Sequence, residues 1–260
     1  MHRICLLLIL IGVVLLCALL WYFLMKKSQY IYTRKNTDSK SQYIYTRQNT
    51  DSKSQYIYNR KNTDSKLKGM ATQVLGDSFT PIYIIDDFLT PSECASIITS
   101  VGDNLVPSPL TRYDPTLPNF RTSRTAYFDN KGIQGHVNQK ILNLMDIDDK
   151  YAEIPQLQHY KVGGQFKSHW DWFDPVADKK FYDNGQRTWT VMVYLNDVEE
   201  GGKTFFDYLD VGISPRRGRV VIWSNLSLNG EVDKRTKHQG SPVIKGEKYI
   251  ITKWFKFPAI

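Results

Sequence analysis

The sequence predicts a mainly β body with flanking helices: a jelly-roll core, or double-stranded β-helix, behind an amino-terminal transmembrane helix and a stalk. Three observations carry this. After Gln156 the chain breaks into short runs rich in Val, Ile, Tyr, Trp and Thr, including LQHYKV, RTWTVMVYLN, GRVVIWSN and KYIITKWFKF. Glycine turns such as Gly163-Gly164 and Gly201-Gly202 separate these runs, the pattern of a closed double sheet. Upstream of them, two stretches carry helix signals, and the first residues form a long uncharged apolar run.

The elements follow in order. Ile4 to Met25 is apolar and uncharged. At about 1.5 Å rise per residue it reaches across a hydrocarbon core of roughly 30 Å. A cleaved signal peptide has a shorter apolar core and a small-x-small cleavage site, so residues 1–27 read as an uncleaved anchor. Three copies of one unit follow: SQYIYTRKNTDSK at 28–40, SQYIYTRQNTDSK at 41–53 and SQYIYNRKNTDSK at 54–66. Each is too short and polar to bury a core of its own, so 28–68 reads as a solvated stalk, with a ligand array built on the Tyr-Ile-Tyr units as the alternative.

The net charge of +8 sits in this amino-terminal part. Lys26 to Lys68 alone carries +8, whereas residues 69–260 carry −1. A near-neutral body argues against nucleic acid as a partner, and the basic stretch suits anionic lipid headgroups. Only Arg3 flanks the anchor on one side, against Lys26 and Lys27 on the other, which favours a cytosolic body. Cys94 is the one cysteine of the body, so neither an internal disulfide nor a cysteine zinc site is expected there.

The body is expected over 69–260. Pro81 to Phe88 reads as a strand. Thr90-Pro91-Ser92-Glu93 has capping-box spacing with proline at the first helical position, so a helix runs on through Ile97 and Ile98. Thr125 to Phe128 reads as another strand, and Ile133, Val137, Ile141 and Leu144-Met145 recur at helical spacing. The two helices are expected to cover one outer face. The last strand is apolar on both sides, as if one face lined the barrel and the other lay under helices.

The chemistry-bearing residues are His169, Asp171, His238 and Lys248. In a strand, residues i and i+2 share a face, so His169 and Asp171 can meet with Trp170 turned away. Two imidazoles and a carboxylate on one side of a metal leave positions open for substrate and dioxygen, the usual holder of non-haem Fe(II). His238 lies in a β-rich segment that could return beside the first strand. Lys248 sits in an apolar strand, where a buried ammonium needs an anionic partner.

The stretches LQHYKVGGQFKSHWDW, NGQRTWTVMVYLNDVEEGGKTFF and HQGSPVIKGEKYIITKWF, with FLTPSEC and FRTSRTAYF upstream, resemble the catalytic domain of prolyl 4-hydroxylases, in the small single-domain form of plants and algae. The resemblance implies an Fe(II)- and 2-oxoglutarate-dependent dioxygenase that consumes O2, hydroxylates proline C4 in proline-rich peptides or proteins and releases succinate and CO2, with ascorbate as the rescuing reductant. His169, Asp171 and His238 would be the metal ligands. Lys248, Tyr160 and Thr204 would hold the distal carboxylate of 2-oxoglutarate, and Arg187 and Trp254 would lie near the peptide groove. Lysine in place of arginine at the carboxylate favours the collagen-type branch. The family also implies a body in the endoplasmic reticulum lumen, against the flanking charges.

Phe166 stands where relatives often carry tyrosine, so one polar contact to substrate would be missing. Substrate choice would then fall to the loops Val106–Asn119 and Asp174–Gln186. The sequon Asn225-Leu226-Ser227 ends a core strand and is expected to be unused. Two other readings compete: a 2-oxoglutarate oxygenase acting on another residue type, and a catalytically silent membrane-tethered binding protein. Oligomeric state and the choice of iron over manganese are not encoded in these patterns.

Overall fold

The computed structural model describes residues 60–110 and 118–257. The apolar segment, the first two repeats and residues 54–59 of the third lie outside the described residues. Among the described residues no helix is long and apolar enough to cross a membrane.

The described residues form fourteen strands: β1 (Gln73–Gly76), β2 (Pro81–Ile85), β3 (Val106–Pro107), β4 (Arg124–Tyr127), β5 (Gln156–Tyr160), β6 (Phe166–His169), β7 (Gln186–Tyr194), β8 (Glu200–Gly201), β9 (Thr204–Phe206), β10 (Val211–Ile213), β11 (Val220–Ser224), β12 (His238–Gly240), β13 (Val243–Lys245) and β14 (Lys248–Phe257). Eight form a major sheet in the order β1-β2-β11-β7-β14-β5-β4-β3. Four form a minor sheet, β10-β9-β12-β6, and β13 pairs with β8. All pairings are antiparallel.

Strand alternation divides the core in two. On β14, Ile251 and Phe255 join Cys94, Ile97, Val101, Val137 and Ile141 of the two helices in one buried cluster. Its neighbour Ile250 faces the other way and packs with Tyr160, Met192, Trp223 and Phe206 between the sheets. The helices therefore cover the outer face of the major sheet, and the inner face opposes the minor sheet. At the turn before β9, Gly201 has φ +80, and a Cβ there would lie 2.3 Å from the Pro242 carbonyl oxygen, so only glycine closes it.

The helices form where the sequence signals place them. Pro91–Val101 opens on a complete capping box: Thr90 Oγ1 accepts from Glu93 N, and the Glu93 carboxylate accepts from Thr90 N. Gly132–Met145 carries the buried Val137, Ile141, Leu144 and Met145 on one face. The β2 strand stops at Ile85, short of Phe88, because Asp87 takes φ 56 and turns the chain. The stretch after Gln156 is not all β. Asp174 accepts from Val176 N and Ala177 N, leading into a short helix at Lys179–Tyr182, and a 3-10 turn occupies Lys234–Thr236. In the two loops expected to govern substrate choice, β3 pairs with β4 and this short helix forms, while residues 111–117 lie outside the described residues.

The expected boundary at Gly69 falls inside a helical run over 60–70. Arg60 and Leu67 are buried, Leu67 within the outer core cluster, so the packed body takes in the end of the third repeat. Arg60 Nε pairs with Asp64 Oδ2 one helical turn on, at 2.7 Å, which offsets the arginine's charge as its stem packs inward.

Glu93 joins the two helices. Its carboxylate also meets Lys140 Nζ at 2.9 Å and His136 Nε2 at 2.9 Å. Partial burial pushes its pKa up, but the Thr90 N–H, Lys140 and His136 outweigh that and hold it down at about 2. A folded pKa below the ordinary 4.5 means the contribution is complete above pH 4.5 and is lost as pH falls towards 2. Glu93→Gln is expected to lower stability at neutral pH by about 1–2 kcal/mol and to flatten the acid limb between pH 4.5 and 2, measured by urea denaturation across pH.

Candidate metal centre and pocket

The register of the minor sheet builds the site. β12 pairs with β6 so that His238 lies opposite His169, with ring centroids 4.4 Å apart. The strand argument for His169 and Asp171 needs correction: β6 ends at His169, and Asp171 lies in the bend beyond it. The bend still brings the carboxylate to the imidazoles. His169 Nε2 is 3.7 Å from Asp171 Oδ1, and His238 Nε2 is 3.8 Å from Asp171 Oδ2. One ligand atom from each of the three residues lies within 4.8 Å of the others. Trp170 turns away, its indole N–H donating to Lys234 O at 2.9 Å.

Both imidazoles are held by their other nitrogen. His169 Nδ1 lies 2.8 Å from Lys167 O, and His238 Nδ1 lies 2.9 Å from Thr236 O. A carbonyl only accepts, so each Nδ1 carries the proton and each Nε2 presents a lone pair to the centre. Burial, reinforced by the neighbouring His238, pushes His169 down to about 3, which keeps it neutral. Burial alone would raise the Asp171 pKa, but the two histidines and Arg187 outweigh it, so the carboxyl stays below its ordinary value and ionised. Two neutral imidazoles and one carboxylate on one side of a point form a donor set that fits divalent iron.

Behind the carboxylate runs a relay that sequence reasoning missed. Thr190 Oγ1 donates to Asp171 Oδ2 at 2.7 Å and accepts from Asn225 Nδ2 at 2.9 Å. Both residues are fully buried. The available signal was Asn225 itself, a polar residue closing the apolar run VVIWS, which needs a partner once buried. Its burial also leaves the sequon amide unable to carry a glycan in the folded chain.

The centre opens into a pocket whose walls include Tyr160, Phe166, Thr204, Gly240, Lys248 and Trp254. Pairing of β14 with β5 sets Lys248 opposite Tyr160, and its ammonium lies 4.6 Å from the tyrosine ring centroid. Lys248 is 1% exposed, and the one hydrogen bond recorded for it runs to Gly202 O at 3.0 Å. Burial alone pushes its pKa down to about 7. A Cβ on Gly240 would lie 3.4 Å from the Nζ, so glycine keeps that side open. Tyr160 donates to Gln158 Oε1 at 3.1 Å, and Thr204 Oγ1 accepts from Tyr194 OH at 2.7 Å.

Arg187 and Trp254 are stacked, with the guanidinium 3.7 Å from the ring centroid. Arg187 also grips Glu153 through two bonds of 2.6 and 2.7 Å and reaches Asp171 O at 3.4 Å, so it braces the metal-side loop. The Trp254 indole N–H has no acceptor among the described residues. Phe166 packs flat on His169 with centroids 3.5 Å apart, and the Arg121 guanidinium lies 4.7 Å from the Phe166 ring centroid.

The relay gives a test. Thr190→Val keeps the volume and removes the bond to Asp171 Oδ2. It is expected to weaken Fe(II) or Co(II) binding on the order of 10–100-fold in calorimetric titration, and to lower metal-free stability by about 1–3 kcal/mol because the buried Asn225 amide loses its acceptor.

Residues 155–256 match the family profile described as 2OG-Fe(II) oxygenase superfamily. Prolyl 4-hydroxylase subunit alpha-2 of Gallus gallus is 34% identical over 54% of this chain, and the chain spans 27% of that protein's length. The Arabidopsis thaliana protein named Probable prolyl 4-hydroxylase 9 is 31% identical over 65% of this chain and 66% of its own length. Among solved structures, the viral collagen prolyl hydroxylase of Paramecium Bursaria Chlorella virus-1, in its 2OG complex, superposes with a TM-score of 0.55 at 26% identity, covering 68% of this chain and 96% of that one. A Trichoplax adhaerens prolyl hydroxylase in complex with a hypoxia inducible factor peptide fragment shares the fold at a TM-score of 0.56 and 17% identity, over 78% of this chain and 92% of that one. With its histidine–aspartate–histidine centre, the chain belongs to the 2OG-Fe(II) oxygenase superfamily, and its relatives there are prolyl 4-hydroxylases.

Proposed function

We propose that the protein hydroxylates proline at C4 in proline-rich peptides or proteins, using Fe(II), 2-oxoglutarate and O2 and releasing succinate and CO2. The observation that carries this reading is one pocket holding two features: the His169, Asp171 and His238 cluster and a fully buried lysine, Lys248, which has no carboxylate ion pair among the described residues. His169 Nε2, His238 Nε2 and an Asp171 oxygen would hold the metal, which supplies the oxidative chemistry when bound. Lys248 would pair with the distal carboxylate of 2-oxoglutarate, replacing an uncompensated buried charge with an ion pair. Tyr160 and Thr204, on the same walls, would give that carboxylate hydroxyl contacts.

The remaining residues orient and exclude water. Phe166, flat against His169, seals one side of the centre with an apolar ring. Trp254 offers a flat face and an uncommitted N–H for a peptide carbonyl, and Arg187 sets its plane from behind. Aromatic walls of this kind suit an extended proline-rich segment. Ascorbate is the expected reductant that keeps the metal ferrous. The apolar segment 4–25 and the basic stretch after it would hold the body at a membrane.

The test supplies the full chain in detergent with Fe(II), ascorbate, 2-oxoglutarate and a proline-rich peptide. Expected are peptide-dependent succinate and one added oxygen on proline by mass spectrometry. Oxygen on another residue would keep the oxygenase and remove proline, and no succinate under any condition would favour a silent binding protein.

The lysine sets a pH dependence. With its folded pKa near 7 and its ordinary value at 10.5, the unfolded chain binds more protons between these limits. Stability of the ligand-free protein from this group therefore rises with pH across that window. The dicarboxylate needs the ammonium form, so its binding is expected to take up a proton above pH 7 and to weaken as pH rises. Calorimetry in buffers of different ionisation enthalpy reads the uptake, and Lys248→Met abolishes it.

A further inference from the structure

The described end of the third repeat is docked on the body, and its contacts are specific. Arg60 Nη1 donates to Leu226 O at 2.5 Å, and its guanidinium lies 4.8 Å from the Trp189 ring centroid. Asp64 Oδ1 accepts from Tyr83 OH at 2.8 Å, while Oδ2 holds Arg60. Thr63 is buried, and Lys66 Nζ donates to Asn143 O at 2.9 Å. Arg60 is 2% exposed, so the contact is a packed one and not a transient surface pair. Leu67, the first residue after the unit, anchors the outer core.

Every one of these repeat residues recurs at the 13-residue period. Arg47, Thr50, Asp51 and Lys53 occupy the same places in the second copy, and Arg34, Thr37, Asp38 and Lys40 in the first. At position 61 the copies differ, carrying Gln48 in the second, and there the docked copy is exposed. Removal of one whole unit, 54–66, joins Lys53 directly to Leu67 and brings the second copy's arginine, threonine, aspartate and lysine to the same distance from the core anchor.

We propose that the surface formed by Tyr83, Trp189, Leu226 and Asn143 is a docking site for the repeat unit of this chain, read through its Arg-x-x-Thr-Asp-x-Lys pattern, and that any of the three copies can serve as the docked strap. The array is then a set of interchangeable straps. Its length can change by whole units without undocking the body.

The test measures melting of the full chain in mild detergent by tryptophan fluorescence. The reference is Arg34→Ala/Arg47→Ala/Arg60→Ala, which removes the pattern from all copies and is expected to lower the melting temperature by roughly 4–8 °C, or to abolish the folded signal. Deletion of 54–66 is expected to melt with the unaltered chain. The same deletion combined with Arg34→Ala and Arg47→Ala is expected to fall to the reference. The proposal is overturned if the deletion alone melts as low as the reference, or if the reference melts with the unaltered chain.

Discussion

The antiparallel pairing of β12 with β6 is the constraint on which the rest depends. Their register sets His238 opposite His169, although 69 residues of chain separate them. Cross-strand neighbours lie at about 4.5–5.5 Å, the spacing two imidazoles need to share one ion, so the sheet fixes the two histidines and the bend after β6 adds the carboxylate. Each histidine is then oriented by a carbonyl of its own chain two residues earlier, Lys167 and Thr236. The side chains are thus aimed by backbone that the fold already holds in place, and the centre needs no rearrangement to present three donors.

The second element is a charge kept where water is excluded. Lys248 starts β14, the strand with the longest shared ladder in the major sheet, and its ammonium meets a carbonyl and the face of a tyrosine. Neither partner repays the desolvation of a full charge, which is why burial moves its pKa so far. A site that pre-pays this desolvation binds a carboxylate more strongly than an exposed lysine would, because the ligand meets a cation already stripped of water. Lys248 and the two histidines belong to different sheets, so a dicarboxylate spanning them would bridge the two layers of the sandwich.

The sequence disclosed those parts of the site whose chemistry is unusual for their surroundings. A lysine inside KYIITKWF, a histidine paired with an aspartate two residues on, and a capping box ahead of an apolar run all conflict with bland alternatives; the capping box forms as expected, and the lysine, histidine and aspartate line one pocket, although Asp171 lies in the bend after β6 and not on the strand. What stayed hidden depends on tertiary register. Thr190 looks like any β-branched residue of RTWTVMVYLN, and only the return of β11 brings Asn225 to it. Arg187 reads as a groove residue, yet Glu153 claims its fork. The end of the third repeat reads as solvated because its burial rests on partners far along the chain, Tyr83, Trp189 and Leu226. Polar sequences dock when their charges are matched on arrival, and composition does not record such matching.

These hidden parts meet on one strand. β7 alternates between the two cores, so Trp189 faces the outer layer under Arg60 while Thr190 faces the metal side and holds Asp171. The partner segment shows the same arrangement: Arg60 bonds the Leu226 carbonyl, and the preceding residue, Asn225, supports Thr190 and bonds Thr188 O through its own N–H at 2.8 Å. A single residue step along each segment therefore separates the strap from the relay behind the metal-binding carboxylate. A shift of Leu226 would move Asn225 with it, since a peptide unit is planar and stiff, and would loosen the one hydroxyl that fixes Asp171 Oδ2. The end of the third repeat and the His169, Asp171 and His238 cluster thus lie on opposite sides of β7 and of the segment that follows β11, one residue step apart on each.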